Sequence, residues 1–516
     1  MPMKSMPTPL PSLSLAIGRT GRVALVMWMG LVGAVACAPF MGSGSTASPE
    51  ATAPGVLAAE IDAILAVPEF EDAHWGVVIR SLESGEVVYT RNADRLFVPA
   101  SNMKLVTGAA ALETLGEEYR YRTTLSAGGP ISDGAIEGPL VVTGTGDPTF
   151  STRFLADSRD AFRAWADSLR ARGVTRVAGA VIGVDTAFVD PPLGTGWMWD
   201  DLTTSSSAEF GALQFNEGIV DVDLFPSQTT LEPAVIVLTP PTQYVRVMND
   251  TRTLPLGSVT TLSIEREEAG PGIIVRGEIA SGDTGESRSV AVRDPGLYLA
   301  SVVRETLRES GIAVEGPAIH YSAIGIDDQQ LVTATEIFSY FSPPLSEILP
   351  GMMKPSQNQI AETLLRTVGR EIGGEGSASG GVAVIDSLFS AWNLDQQTFR
   401  MADGSGLSRY DLLSPELLVE LLTHMDASPY RDLWLESLPV AGRDGTLEDR
   451  MRDPPLVDRV LAKTGSLSGV RALSGYLTAP SGERFVFSII ANNYLAPSSS
   501  VDRVVESILQ MVATIR

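Results

Sequence analysis

Lysine is almost absent from this chain, and where it is kept constrains the fold more than any other feature. Of 38 basic residues four are lysines, at positions 4, 104, 354 and 463, and the rest are arginines. A guanidinium does not surrender its proton in a protein, whereas burial and neighbouring charge drive an ammonium towards neutrality, so a retained lysine is a candidate for proton transfer. Lys4 lies in an N-terminal leader. The other three stand in Ser101-Asn-Met-Lys104, Lys354-Pro-Ser356-Gln-Asn358 and Lys463-Thr-Gly-Ser466. On a helix, residues three apart share a face, which lets Ser101 Oγ meet Lys104 Nζ. Taken singly each segment has an ordinary reading, as a solvated helix face, a capping sequence and the start of a turn. Taken together, using every lysine beyond the leader, they point to one site drawn from distant parts of the chain.

The leader carries Lys4, Arg19 and Arg22 ahead of an apolar run from Val23 to Ala36. That run is too short for a transmembrane span and has the pattern of a secretory signal. Ala34-Val-Ala36 fits small-residue cleavage, and Cys37 behind it is the sole cysteine of the chain. A solitary cysteine at the new N-terminus resembles the lipid-attachment site of a bacterial lipoprotein, and the alternative is a soluble secreted enzyme with an incidental thiol. Either way the chain is exported, without an intramolecular disulfide. Residues 38–55, rich in small residues, form a linker that lets a tethered enzyme stand off a membrane. A formal net charge of −24 argues against a nucleic-acid partner and against electrostatic docking on anionic lipid.

A globular region begins near Val56. Residues 75–79 and 87–90 read as strands joined through Ser84-Gly-Glu86 as a hairpin. Pro99 and Ala100 introduce a helix whose first turn carries Ser101 and whose apolar face continues through Leu105, Ala109 and Leu112. A nucleophile there gains from the free N–H groups and positive dipole end. Strand-like runs bounded by Gly, Pro and Asp follow at 139–143, 177–184, 220–225, 234–238, 258–264, 272–278 and 289–292, interrupted by helical patterns at 153–172 and 296–310. This is a β-rich insertion. Gly144-Thr-Gly-Asp-Pro148 lacks the third glycine and the Gly-Lys of a phosphate loop and reads as a turn. Helices are expected at 345–353, 360–368 and, capped by Ser414, 415–425, with 369–381 as a flexible connection. Residues 460–462 form a short strand running into Lys463, 471–477 and 484–492 pair antiparallel, and 501–515 is a closing amphipathic helix. His74, His320 and His424 have no ligand spacing and read as structural, so neither metal nor cofactor is expected.

In that order Ser-x-x-Lys, Ser-x-Asn and Lys-Thr-Gly resemble the signature of penicillin-binding proteins and serine β-lactamases. Further matches are Gly146-Asp-Pro-Thr149, Gly196-Trp-Met-Trp-Asp-Asp201, Asp403-Gly-Ser-Gly-Leu-Ser408 and Leu438-Pro-Val-Ala-Gly-Arg-Asp-Gly-Thr446. With these the chain resembles, over about residues 56–512, the class C low-molecular-mass penicillin-binding proteins: D-Ala-D-Ala carboxypeptidase/endopeptidases of the penicillin-binding protein 4 type. The resemblance implies an α/β (α+β) fold, a transpeptidase-like domain with an antiparallel sheet flanked by helices plus two inserted β-rich domains. The expected division is a catalytic domain of 56–122 and 336–516, an inserted domain of 123–205 and 288–335, and a second of 206–287. Ser-Gln-Asn stands where Ser-Asp-Asn is commoner, at a middle position to which no chemistry is assigned.

The implied reaction is acyl transfer on peptidoglycan stem peptides, with β-lactams as covalent inhibitors. Ser101 is the nucleophile, neutral Lys104 its base, Ser356 beside Lys463 the proton relay, and Asn358 the holder of the substrate amide. The N–H groups of Ser101 and Ser466 form the oxyanion hole. The segment Lys463, Thr464, Gly465 and Ser466 receives the terminal carboxylate, and Arg409, Leu467, Ser468 and Asp185 contact the third residue of the stem. Two other readings are a β-lactamase or esterase of the same fold, which the long insertion and the missing Glu-x-x-Leu-Asn disfavour, and a slowly deacylating penicillin-binding sensor or scaffold.

Overall fold

The computed structural model describes residues 54–267 and 269–515. The leader, Cys37 and most of the linker lie outside these residues.

The strands nearest the two ends of the described chain form one five-stranded antiparallel sheet, in the order Val87–Arg91, His74–Ser81, Arg484–Asn492, Val470–Thr478, Val460–Leu467. Its middle strand reads Phe485-Val-Phe-Ser-Ile-Ile490 without polar alternation, because both faces are covered. Side chains alternate across a strand, so Val78, Val486 and Ile490 face one core and Val77, Ile79, Phe485, Phe487 and Ile489 face the other. The first core is closed by helices Met103–Leu115, Leu345–Met353, Asn358–Val368 and Pro415–Asp426. The second is closed by Pro54–Leu65 and Ser498–Ala513. The latter buries Val501, Val504, Val505, Ile508, Leu509 and Val512, a single helical stripe. Truncating Ile508 to Ala in this stripe should cost about 2–5 kcal/mol.

Residues 122–341 supply the remaining large sheets. A five-stranded mixed sheet runs Ala318–His320, Val181–Val184, Leu140–Gly144, Arg122–Ala127, Thr335–Phe341. Two three-stranded sheets follow, Val235–Thr239 with Ile219–Phe225 and Glu286–Ala291, and Arg246–Leu254 with Gly272–Ala280 and Thr261–Arg266. Helices Asp160–Ala171 and Pro295–Glu309 share a core with them through Phe162, Trp165, Tyr298 and Val303.

Several local expectations change. Ser101 sits on a 3-10 turn, Ala100–Asn102, just ahead of the helix rather than in its first turn. The 153–172 pattern is helical only from Asp160, since Asp157 turns back to accept from the Arg159 N–H. The Lys-Thr-Gly motif lies within the strand Val460–Leu467 instead of following it. Residues 369–381 are ordered: a π-helical turn, Gly369–Gly373, is followed by helix Ala378–Ala391, capped by Ser377 Oγ on the Gly380 N–H at 2.9 Å.

Candidate active site

The turn at Ala100–Asn102 brings Ser101 to the surface of a cleft while the helix behind it buries Lys104 completely. Lys104 Nζ donates to Ser101 Oγ (3.0 Å), Asn358 Oδ1 (2.6 Å) and the Ser405 carbonyl (2.7 Å), which uses all three ammonium donor directions. Asn358 Nδ2 in turn donates to the Ser206 carbonyl at 2.8 Å. Burial lowers the Lys104 pKa to about 7, against an upward pull from Asp403, Glu362 and Asp411.

Ser356 stands between helices Leu345–Met353 and Asn358–Val368, in a left-handed conformation with φ +65°. A serine held there is strained, and the strain is maintained by its surroundings. Its Oγ accepts from Lys463 Nζ at 2.8 Å, and Lys463 also donates to the Thr464 carbonyl at 2.9 Å. Burial, then the neighbouring charge of Lys104, holds Lys463 well below the ordinary lysine range. The two halves are tied at the backbone, since Asn102 Nδ2 donates to the Lys463 carbonyl at 2.9 Å. Two glycines permit this close approach. A Cβ at Gly465 would lie 2.6 Å from the Pro99 carbonyl oxygen, and one at Gly406, where φ is +80°, would lie 1.9 Å from that of Ala100.

Beneath Lys104 lies a floor of buried acids. Asp403 Oδ1 accepts from the Gly406 N–H (2.7 Å) and Oδ2 from the Ser408 N–H (2.8 Å) and Trp197 Nε1–H (2.8 Å). Glu362 accepts from the Ser405 N–H (2.9 Å) and from Arg366 (2.9 Å), and Asp411 from the Ala402 N–H (2.6 Å). Burial and then the Asp403 charge push both Glu362 and Asp411 above the ordinary carboxylate range.

Ser101, Ser356, Asn358, Thr464, Ser466, Leu467 and Ser468 line one cleft of about 350 Å³. Gly465 contributes backbone, and exposed Arg409 reaches across to donate to the Ser468 carbonyl at 2.7 Å. Asp185 is not brought to this cleft. It bonds His320 Nε2 at 2.8 Å in a separate cavity, and the acid lining the cleft is Asp201. Sequence reasoning missed Asp201 although it ends the Gly196–Asp201 motif. It also missed Thr446, whose Oγ1 accepts from Thr464 Oγ1 at 2.7 Å. Lys354 had no assigned task, and it pins the loop before Thr446 through Asp444 Oδ2 (2.7 Å) and the Leu438 carbonyl (3.1 Å). Among the described residues no group of three or more His, Cys, Asp or Glu is placed to hold a metal ion, and His74 and His424 stack on Phe97 and Trp392.

The family model of the D-Ala-D-Ala carboxypeptidase 3 (S13) family matches residues 57–514. The D-alanyl-D-alanine carboxypeptidase of Actinomadura sp. (strain R39) is 35% identical over 451 residues, covering 85% of this chain and 81% of that protein. The D-alanyl-D-alanine carboxypeptidase DacB of Haemophilus influenzae is 26% identical over 433 residues, covering 82% and 86%. The crystal structure of penicillin binding protein 4 (dacB) from Haemophilus influenzae superposes with a TM-score of 0.76 at 25% identity, covering 88% of this chain and 99% of that one. Its complex with a β-lactam gives a TM-score of 0.70. The fold is thus of the penicillin-binding, β-lactamase-like type, and the chain belongs to the D-Ala-D-Ala carboxypeptidase 3 (S13) family.

Proposed function

We propose that this enzyme, a serine-type D-Ala-D-Ala carboxypeptidase by family, hydrolyses peptidoglycan stem peptides through an ester on Ser101. The observation that carries this reading is the pair of hydrogen-bonded couples, Lys104 with Ser101 and Lys463 with Ser356, set about one cleft. Ser101 Oγ attacks the carbonyl of the penultimate D-Ala while its proton passes to neutral Lys104, a form that a pKa of about 7 makes available at neutral pH. The N–H groups of Ser101 and Ser466 stabilise the oxyanion. The C–N bond then breaks, Ser356 hands a proton to the leaving amine, and Lys463 replenishes Ser356. Water releases the acyl group by the reverse proton path. Asn358 orients both Lys104 and the substrate amide. Thr464, Ser466 and Thr446 hold the terminal carboxylate, whose charge favours protonation of Lys463. Asp201, in place of Asp185, lies beside Leu467 and Ser468 with Arg409 behind them and suits an amine on the third residue of the stem.

The division into a catalytic domain (56–122, 336–516) and inserted domains (123–205 with 288–335, and 206–287) belongs to the same proposal, supported by separate apolar cores around the end-to-end sheet and around Trp165. So does export with a lipid anchor on Cys37. A clickable fatty acid should label the wild type and not Cys37→Ser, and equal labelling of both refutes the anchor. The test of function is a stem pentapeptide ending in D-Ala-D-Ala. Purified enzyme should release D-Ala over many turnovers, and Ser101→Ala should release none while staying folded. Acylation without turnover would instead mark a penicillin-binding sensor.

A further inference from the structure

Trp199 is 84% exposed, although it sits in the same short segment as Trp197, which is turned inwards onto Asp403 and Phe210. A large indole held in water on an ordered 3-10 turn, Trp199–Asp201, is an apolar face without an internal use. It forms the mouth of a groove of about 1090 Å³, between residues 199–205 and the strands Thr261–Arg266 and Glu286–Ala291.

This groove adjoins the catalytic cleft through an intervening pocket. A pocket of about 380 Å³ shares Ser205 and Ser289 with the groove, and shares Ser206, Ser356 and Asn358 with the cleft. Groove, pocket and cleft thus share walls in series from Trp199 to Ser101, with the Asn358–Ser206 hydrogen bond between pocket and cleft.

The lining shows what chemistry the groove suits. Most of its charged side chains are held in pairs, Glu286 with Arg288 (3.0 Å), Glu265 with Arg276 (3.0 Å), Glu267 with Arg246 (3.1 Å) and Glu209 with both Arg266 (3.1 Å) and Arg293 (3.7 Å), while Asp200 adds one more acid beside Trp199. Between them stand the hydroxyls of Thr203, Thr204, Ser205, Ser287 and Ser289. Such a surface offers hydrogen bonds in both directions with its acids and arginines in balance, which disfavours a strongly charged ligand and suits a neutral polyhydroxylated one. An exposed indole beside it supplies a flat apolar face for the C–H side of a pyranose ring.

We propose that this groove is a glycan subsite, in which Trp199 stacks on a sugar of the strand to which the stem peptide is attached. The inference rests on the carboxypeptidase reading for the identity of the peptide. Four residues separate the scissile carbonyl from the sugar end of a pentapeptide stem, a reach of roughly 13 Å when extended. With Asp201 lining the cleft, Trp199 lies two residues away along the same turn.

The test is binding rather than turnover. In Ser101→Ala protein, calorimetry compares a pentapeptide with the same pentapeptide on a GlcNAc-MurNAc disaccharide. The disaccharide form should bind about five- to tenfold more tightly, a factor in the range that aromatic contacts supply. Trp199→Ala added to Ser101→Ala should abolish that advantage while leaving the affinity for the free pentapeptide unchanged, and Trp199→Tyr should retain most of it. Ser287→Trp, which fills the groove from the opposite wall, should also abolish it and keeps the test open if Trp199→Ala does not fold. Equal affinities for the two ligands, or an advantage that survives both Trp199→Ala and Ser287→Trp, overturns the subsite. Release of D-Ala by the wild type, followed in parallel, reports on the carboxypeptidase reading alone.

Discussion

The two buried lysines of the cleft stand in regions of opposite character. Below Lys104 lie three carboxyl groups, those of Glu362, Asp403 and Asp411, while the surroundings of Lys463 contribute hydroxyl and carbonyl oxygens and the charge of Lys104 itself. Burial pushes both lysines towards neutrality, and the acid floor decides where each stops. Lys104 is held near 7 against the pull of three acids, and Lys463 is kept well below its ordinary value with no acid among the groups that act on it. The contrast suggests that one shared property, a desolvated amine, is tuned for two tasks by what lies behind it.

The strongest way to break this contrast is Lys104→Arg, which keeps the charge and removes the neutral form. Acylation by a fluorescent penicillin should fall by about a thousandfold, within the range general bases contribute. A rate within a few-fold of wild type would end the assignment. Lys463→Arg places a permanent charge where no carboxylate faces it, and beside Lys104. Its acylation rate should fall by roughly ten- to a hundredfold, leaving measurable activity. If both variants are equally dead, the two regions do not differ in task.

The floor itself is sharpened by pH. With neutral Lys104 as the proposed base, the acylation rate of the wild type should rise through about pH 7. Glu362→Gln removes an upward pull on that lysine, so the rising limb should move to lower pH, and an unmoved limb would show that the acids do not set the base. The same depression makes a stability signature. Between about pH 7 and the ordinary lysine value near 10.5, the unfolded chain binds a proton that folded Lys104 does not, so stability rises with pH across that window. Lys104→Met should flatten this rise, read as the thermal midpoint against pH. The smallest effect should come from Lys354→Arg, since a half-exposed pair with Asp444 survives the exchange. Acylation should stay within about threefold of wild type, and a larger loss would show that the loop carrying Thr446 depends on the ammonium.

The lysines of the cleft stood out because a chain rich in arginine keeps lysine at 104 and 463, whereas Lys354, kept by the same chain, is only half-buried and pairs with Asp444. The strands around Trp75 and Phe487 and the closing helix were legible because their apolar pattern is continuous or cleanly periodic. Helix Ala378–Ala391 was hidden by its glycines, which looked like flexibility. In the fold they serve contact: a Cβ at Gly381 would lie 2.2 Å from the Leu365 carbonyl oxygen, and one at Gly369 2.6 Å from the Gly381 nitrogen. Strand Arg246–Leu254 was missed because its largely exposed, polar sequence carries no period-two signal. Asp185 and Asp201 could not be told apart from sequence, since which acid faces the cleft depends on how residues 196–201 fold against Asp403.

Under selection by β-lactams, the floor of this cleft has little room to drift. Any side chain at Gly406 or Gly465 runs into the carbonyl of Ala100 or Pro99, the two residues immediately before Ser101. Substitutions that avoid this clash are open at the rim, at positions such as Asp201, Leu407, Ser466 and Ser468. In the proposed mechanism the rim also recognises the stem peptide, so a variant that evades the drug there alters the grip on its own substrate. Resistance in this enzyme should therefore come with a measurable loss of fitness in cell-wall turnover.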